Sequence, residues 1–361
     1  MIHNILHTAR RIAAPFALFA LAIAHPSAHA QLSFTFNCAP DIDPRALVGF
    51  EAAAARWSSL FKDPINVSID VGFEALAPGV LGSTGSSSLS LSYSAFKYFL
   101  SADRSSVNDQ IAYASLSSGL SFDLLLNRTS NSPYGSASAT PYLDNDGNAN
   151  NSTIRMNLAN ARALGIYQAN GGMIDASIRF SSLFNFDFDP TDGVASDAID
   201  FVGVATHELG HALGFTSGLL YVDAMGIAPV ADDSLRYVSP LDLYRYSVDS
   251  YAQKATDWTT DARTKYFSID GGSTPLALFS TGMYGDGRQP SHWKDGYDFG
   301  IMDPTTAYGE LDVIRSLDVL ALDVIGYDIA TPEPSTYGMV AVAMLGLAVH
   351  FRRRRRRQPH Q

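Results

Sequence analysis

The feature that most constrains this chain is the segment 197–213, DAIDFVGVATHELGHAL, where apolar side chains (Phe201, Val202, Val204, Leu209, Leu213) are interrupted by His207, Glu208 and His211. The spacing predicts one helix over 197–213, capped by Ser196 or Asp197 and closed by Gly214. Imidazoles and a carboxylate on so apolar a helix are costly unless something satisfies them. Residues four apart share one helical face, so His207 and His211 can reach a single tetrahedral ion. Glu208 projects about 100° round the helix, off the metal and beside a water that the metal would carry. By chance the pattern is expected on the order of 0.003 times in a chain of this composition.

An open zinc site takes three protein ligands. Between residues 31 and 330 the only histidines are His207, His211 and His292, and no glutamate lies between Glu208 and Glu310. Elimination makes His292 the leading third ligand, with an aspartate as the runner-up.

The run His207-Glu208-Leu209-Gly210-His211-Ala212-Leu213-Gly214-Phe215 resembles the active-site helix of the metzincins, in particular the leishmanolysin-like branch. Most metzincins place their third histidine three residues after the glycine, where this chain has Ser217. In the leishmanolysin-like branch it follows a long insertion and precedes a methionine turn, an order matched by His292 and by Met302 within Gly-Ile-Met-Asp-Pro. The resemblance implies an α+β metzincin-like zincin of two lobes, about 31–214 and 215–330, flanking an active-site cleft. It implies a zinc endopeptidase acting on protein or peptide substrates through metal-activated water, with Glu208 as general base and Met302 beneath the zinc. Pro304 stands where several metzincins carry an oxyanion-stabilising tyrosine, and Tyr308 is the candidate substitute. Two readings from other classes stand beside this one: an inactive, zinc-stabilised surface or biofilm-matrix protein, and a calcium-binding adhesin.

Both ends read as sorting signals. Arg10 and Arg11, an apolar run and Ala28-His29-Ala30 predict a signal peptide over 1–30, removed by signal peptidase. Pro332-Glu333-Pro334-Ser335, an apolar stretch over 337–351 and six arginines, 352–357, resemble the PEP-CTERM signal of Gram-negative bacteria. That resemblance implies transient insertion of 337–351 in the inner membrane and cutting by an exosortase-type enzyme. The arginines would stay cytoplasmic, and the product would reach the cell surface or medium. Without the two ends, 17 Lys and Arg face 35 Asp and Glu, a net charge of −18 that does not suit nucleic acid. Cys38 is the single cysteine, so no intrachain disulfide can form; it reads as an inert thiol rather than a latency switch on the zinc.

Elsewhere the periodicities predict a helix over 43–61, a strand over 66–73, a Gly/Ser-rich loop over 79–90 and a helix over 106–116. They also predict an irregular stretch over 130–151, a strand running into a helix over 154–164, and strands over 173–180, 241–246 and 266–269. Two Asp-rich loops are candidate calcium sites: residues 144–148, and the loop bearing Asp187, Asp189 and Asp192. Neither has the EF-hand spacing, and the competing reading is Asx turns bonded to their own backbone.

Overall fold

The computed structural model describes residues 31–39, 42–168, 172–225 and 228–330. The expected signal peptide and sorting segment lie outside these residues. What is described is an α+β fold around one apolar core that runs from Leu32 to Tyr327.

The N-terminal half begins with β1 (Ser33–Cys38), α1 (Pro44–Ser58) and β2 (Asn66–Glu74). Asp43 caps α1 by accepting from the amide of Arg45, and Pro44 supplies a first residue with φ already helical. The face of α1 formed by Phe50, Ala53, Ala54 and Trp57 is buried. In β2 the alternation of Val67, Ile69 and Val71 puts one face in the core. The 79–90 segment, expected as a loop, forms β3 (Gly82–Ser86) and β4 (Ser88–Ser92). Its Gly/Ser composition concealed strands whose partners are distant in sequence, a tertiary effect that local propensity does not carry.

Helices α2 (Tyr93–Asp103) and α3 (Val107–Ser115) follow, then β5 (Leu124–Leu126), β6 (Tyr142–Asp144), the short α4 (Ala149–Ser152), β7 (Thr153–Asn157) and α5 (Leu158–Ala163). The expected strand-into-helix over 154–164 is therefore present, and 130–151 is largely irregular apart from β6 and the start of α4. β8 (Ala176–Ser181), β9 (Phe186–Asp187) and β10 (Ile199–Asp200) lead into α6 (Phe201–Leu213). The main sheet has the order β1-β2-β8-β3, with β1, β2 and β8 parallel and β3 antiparallel on its edge.

Helix α6 begins four residues later than expected. Its cap is Asp200, whose Oδ1 accepts from the Gly203 amide at 2.8 Å, because 199–200 are held in strand pairing with 186–187. The helix lies against α1: the Trp57 indole donates to the Thr206 carbonyl at 2.8 Å. Gly49 lets the backbones approach, since a Cβ there would stand 2.5 Å from the Phe201 ring. At the other end Gly214, with φ of 127°, terminates α6. The last carbonyls, which no helix satisfies internally, accept from side chains instead: His211 from Asn157 at 2.8 Å and Leu213 from the Tyr327 hydroxyl at 2.7 Å.

After Gly214 the chain has little regular structure: α7 (Leu219–Met225), β11 (Arg245–Tyr246), α8 (Val248–Gln253), β12 (Thr256–Asp257), β13 (Lys265–Phe267), β14 (Ala277–Phe279) and α9 (Ser316–Asp323). The strand expected over 241–246 is mostly a 3-10 turn, Leu241–Tyr244, because the Asp242 carboxylate collects the amides of Gly218 and Ser239 and bends the chain round itself. The strand expected over 266–269 ends at Phe267.

Asp200 is fully buried and also accepts from the Asp312 amide at 3.3 Å. Asp200→Ala should therefore lose about 1–2 kcal/mol of stability, read as a lower urea midpoint, whereas Ser196→Ala and Asp197→Ala should be near neutral.

Candidate metal centre

Helix α6 presents His207 and His211 on one face, and a turn at 290–292 brings His292 to them. The three Nε2 atoms form a nearly equilateral triangle: 3.0 Å between His207 and His211, and 3.1 Å from each to His292. Each ring is fixed from behind. The Nδ1 atoms of His207, His211 and His292 lie 2.7, 2.8 and 3.2 Å from the carbonyl oxygens of Ile301, Phe215 and Gln289. A carbonyl can only accept, so each Nδ1 carries the proton and donates, and each Nε2 is left as a bare lone pair. Three lone pairs at this separation repel one another, and protonation does not relieve them. Burial pushes the His207 pKa down to about 4, and burial with the neighbouring His207 pushes His211 to about 3. Burial, then the other two rings, takes His292 well below its usual value.

Three converging imidazole lone pairs are a donor set that suits a divalent cation. Nitrogens about 3 Å apart are compatible with Zn–N bonds of ~2.0–2.1 Å to one shared ion. Backbone carbonyls that orient ligating imidazoles are the usual outer support of zinc histidines. Among the described residues the triad is the only group of three such side chains with ligand atoms within 4.8 Å of one another. The structure thus brings His292, rather than an aspartate, to His207 and His211.

Ser217, at the position of the histidine in the short motif, still takes part: its amide donates to Ser291 Oγ at 3.1 Å, pinning the residue beside His292. The buried Arg245 guanidinium donates to the carbonyls of Pro290 and Ser280, and the Ser280 amide donates to the His292 carbonyl at 3.0 Å. The arm that delivers His292 is therefore fixed by backbone bonds on both sides.

Met302 is fully buried against α6, where a Cβ on Gly210 would stand 2.5 Å from its sulfur. Its carbonyl accepts from the Trp293 amide at 2.9 Å. Asp318, in the first turn of α9, is a residue that the motif reading missed. Its Oδ1 accepts from the Trp293 indole at 2.8 Å and the Met302 amide at 3.3 Å; its Oδ2 accepts from the amides of Ile301 and Arg315, both at 2.8 Å. One buried carboxylate so ties the residue after His292 to the residue whose carbonyl orients His207. Burial pushes its pKa up to about 6, with these donors acting the other way.

Glu208 points to the side of the triad. Its Oε2 accepts from the Thr84 hydroxyl at 2.6 Å, and a Cβ on Gly82 would come 2.7 Å from Oε1, so edge strand β3 lies directly over the carboxylate. Burial pushes the Glu208 pKa up to about 7, against the lowering effect of the Thr84 hydroxyl. A cleft of about 1050 Å³ runs across the centre, lined by β3, His207, Glu208, His211 and His292, together with Tyr221, Tyr237 and Arg288.

The remaining sequence candidates lie elsewhere. Tyr308 is exposed and does not line the cleft. Cys38 lines a separate hollow of about 790 Å³ beside Arg45 and Phe188, where burial raises its thiol pKa. Asp187 accepts from the amides of Asp189 and Ala195, and Asp189 from the amide and hydroxyl of Thr191. Those carboxylates serve their own loop and do not converge with Asp192. In the 144–148 loop, Asp146 likewise accepts from Asn148, and Asp144 from Asn150.

Comparison with known protein families matches residues 330–356 to the PEP-CTERM protein-sorting motif. The chain thus carries an export and sorting signal of the Gram-negative type, which implies processing by an exosortase-type enzyme and delivery to the cell surface or beyond. No curated protein and no solved structure matches the chain.

Two substitutions probe the centre. Asp318→Asn sets an amide donor against backbone donors and should weaken zinc binding by about 10–100-fold, measured by competition with a chromophoric chelator. Gly82→Ala should leave zinc affinity intact while displacing the Glu208 carboxylate, and should lower turnover of any substrate processed there by about 10-fold or more.

Proposed function

We propose that the chain is an exported zinc endopeptidase of the metzincin type, resembling the leishmanolysin-like branch. The observation that carries this reading is the convergence of three unprotonated Nε2 lone pairs beside a carboxylate that is not one of the ligands. A purely structural zinc site is normally closed by four protein ligands and has no need of Glu208. Here the set stops at three, and the open side faces a cleft large enough for a peptide.

Bound zinc would supply Lewis acidity, lowering the pKa of water and polarising a carbonyl. The chain's residues do the rest. His207, His211 and His292 are oriented through their Nδ1–H donors. Glu208 takes a proton from the attacking water and hands it to the departing amine, and its burial keeps its basicity close to neutral pH. Thr84 holds the carboxylate towards the cleft. Edge strand β3 is paired on one side only and lines the cleft with Gly82, Ser83, Thr84, Gly85 and Ser86. Such an edge can add an extended peptide as a further antiparallel strand, and its small side chains leave the backbone accessible.

Glu208→Gln should keep one zinc per chain and lose casein-type hydrolysis by at least about 100-fold, in line with the loss of a general base. His292→Ala should lose both zinc and activity. Hydrolysis that persists in Glu208→Gln at the parent rate would remove the peptidase assignment and leave the inactive zinc-stabilised reading. For sorting, replacing residues 332–335 should retain the protein in the inner membrane, judged by fractionation and apparent mass.

A further inference from the structure

Two arginines line the cleft that crosses the metal centre, Arg155 and Arg288. Arg288 is neutralised, its Nη2 lying 2.8 Å from Asp295 Oδ2. Among the described residues Arg155 enters no ion pair. Its Nε donates to Ser88 Oγ at 3.0 Å, which leaves both Nη atoms without a hydrogen-bond partner among those residues. Its guanidinium carbon stands 5.2 Å from the ring centroid of Tyr237 and 5.5 Å from that of Tyr221, within the range of a cation–π contact.

The fold holds this group in place. Arg155 lies opposite Ser90 in the pairing of β4 with β7, so Ser88, two residues away on the same face, is within reach of its side chain. The Arg155 amide donates to the Val238 carbonyl at 2.9 Å, which ties β7 to the residue after Tyr237. The rings of Tyr221 and Tyr237 stack with centroids 4.0 Å apart and planes 14° from parallel. The backbone beside them is tightly packed, since a Cβ on Gly218 would stand 1.8 Å from the Tyr237 carbonyl oxygen. Asp242 Oδ2 fixes that contact by accepting from the amides of Gly218 and Ser239. A guanidinium held against two rings with its Nη atoms unspent matches a carboxylate, which can accept two N–H bonds at once.

The position of Arg155 along the cleft gives it a direction. Strand β3 runs from Gly82, beside the Glu208 carboxylate, to Ser86. The chain continues through Ser88, which pairs with Asn157, and Asn157 donates to the His211 carbonyl at 2.8 Å. The Ser86 end therefore lies towards the end of α6. The start of α6 meets a carboxylate instead, because a Cβ on Gly203 would stand 2.8 Å from the Asp312 Cβ. A peptide added to β3 as an antiparallel strand runs from Ser86 towards Gly82, so its N-terminal portion passes Arg155 before its backbone reaches Glu208.

Resting on the peptidase reading above, we propose that Arg155, seated against Tyr221 and Tyr237, selects peptides that carry an Asp or Glu side chain on the N-terminal side of the bond that is cut. The partner is a side-chain carboxylate rather than the peptide's C-terminal one, which in this orientation lies at the far end of the cleft.

The test is equilibrium binding of dye-labelled peptides to zinc-loaded Glu208→Gln protein, read by fluorescence anisotropy, so that the result does not depend on hydrolysis. Three short Ala/Ser peptides are compared: one with glutamates in its N-terminal half, the same peptide with glutamines there, and one with glutamates in its C-terminal half. We expect the first to bind about 10-fold more tightly than the other two, the scale of one charge-assisted contact, with the advantage shrinking as salt is raised. Adding Arg155→Gln, which keeps a side chain beside the tyrosines, should erase the advantage and leave zinc content unchanged. Equal binding of the three peptides, an advantage for glutamates in the C-terminal half, or a preference that survives in Arg155→Gln overturns the inference. Bonds cut by the protein with Glu208 intact, mapped by mass spectrometry in a mixed peptide digest, should show Asp and Glu enriched before the cleaved bond. Absence of cleavage alongside an intact binding preference would remove the peptidase reading and leave Arg155 as the residue that recognises acidic peptides.

Discussion

Three imidazole nitrogens held about 3 Å apart with their lone pairs facing inward form the constraint around which the rest of the structure is organised. Without a cation the arrangement is repulsive, and the low basicity imposed by burial prevents protons from relieving it. The fold maintains it by directing each Nδ1–H to a backbone carbonyl. The position of the triad therefore depends on the positions of Ile301, Phe215 and Gln289, and the apolar core and its buried acids hold those three carbonyls in place.

The carboxylates away from the triad have distinct structural tasks. Asp200 starts α6 at the residue that turns His207 and His211 towards the cleft. Asp242 gathers the Ser217 hydroxyl, the amides of Gly218 and Ser239, and the Trp258 indole, shaping the turn that follows α6. Asp318 locks Trp293 to Ile301 and Met302. Each accepts several N–H donors, which is how a buried carboxylate offsets its desolvation. The excess of Asp over Glu in the composition thus has a structural meaning here: a short side chain can collect amides from a tightly turning backbone.

The site was more legible in the sequence than the fold was. His207, Glu208 and His211 could be placed from spacing alone, because helix geometry converts an i, i+4 pair into one face. His292 required elimination among the three histidines of residues 31–330, and the structure brings it beside the other two. Thr84 and Gly82 could not be found this way, since β3 had the composition of a loop and its strand character arises from pairing with β8. Asp318 carried no local signal among 31 aspartates; its role appears only where α9 packs against the two arms. The start of α6 was misplaced for a related reason, because pairing of 199–200 with 186–187 competes with helix at that point.

The central claim, that three imidazoles of this chain bind one zinc and leave a position open, is tested most directly by zinc K-edge X-ray absorption on the purified protein. The account predicts one zinc per chain with three imidazole nitrogens and at least one light oxygen scatterer at ~2.0–2.1 Å, and loss of one imidazole contribution in any preparation of His292→Ala that retains metal. A first shell of two imidazoles with a carboxylate from this chain, or an unchanged spectrum in His292→Ala, would contradict it.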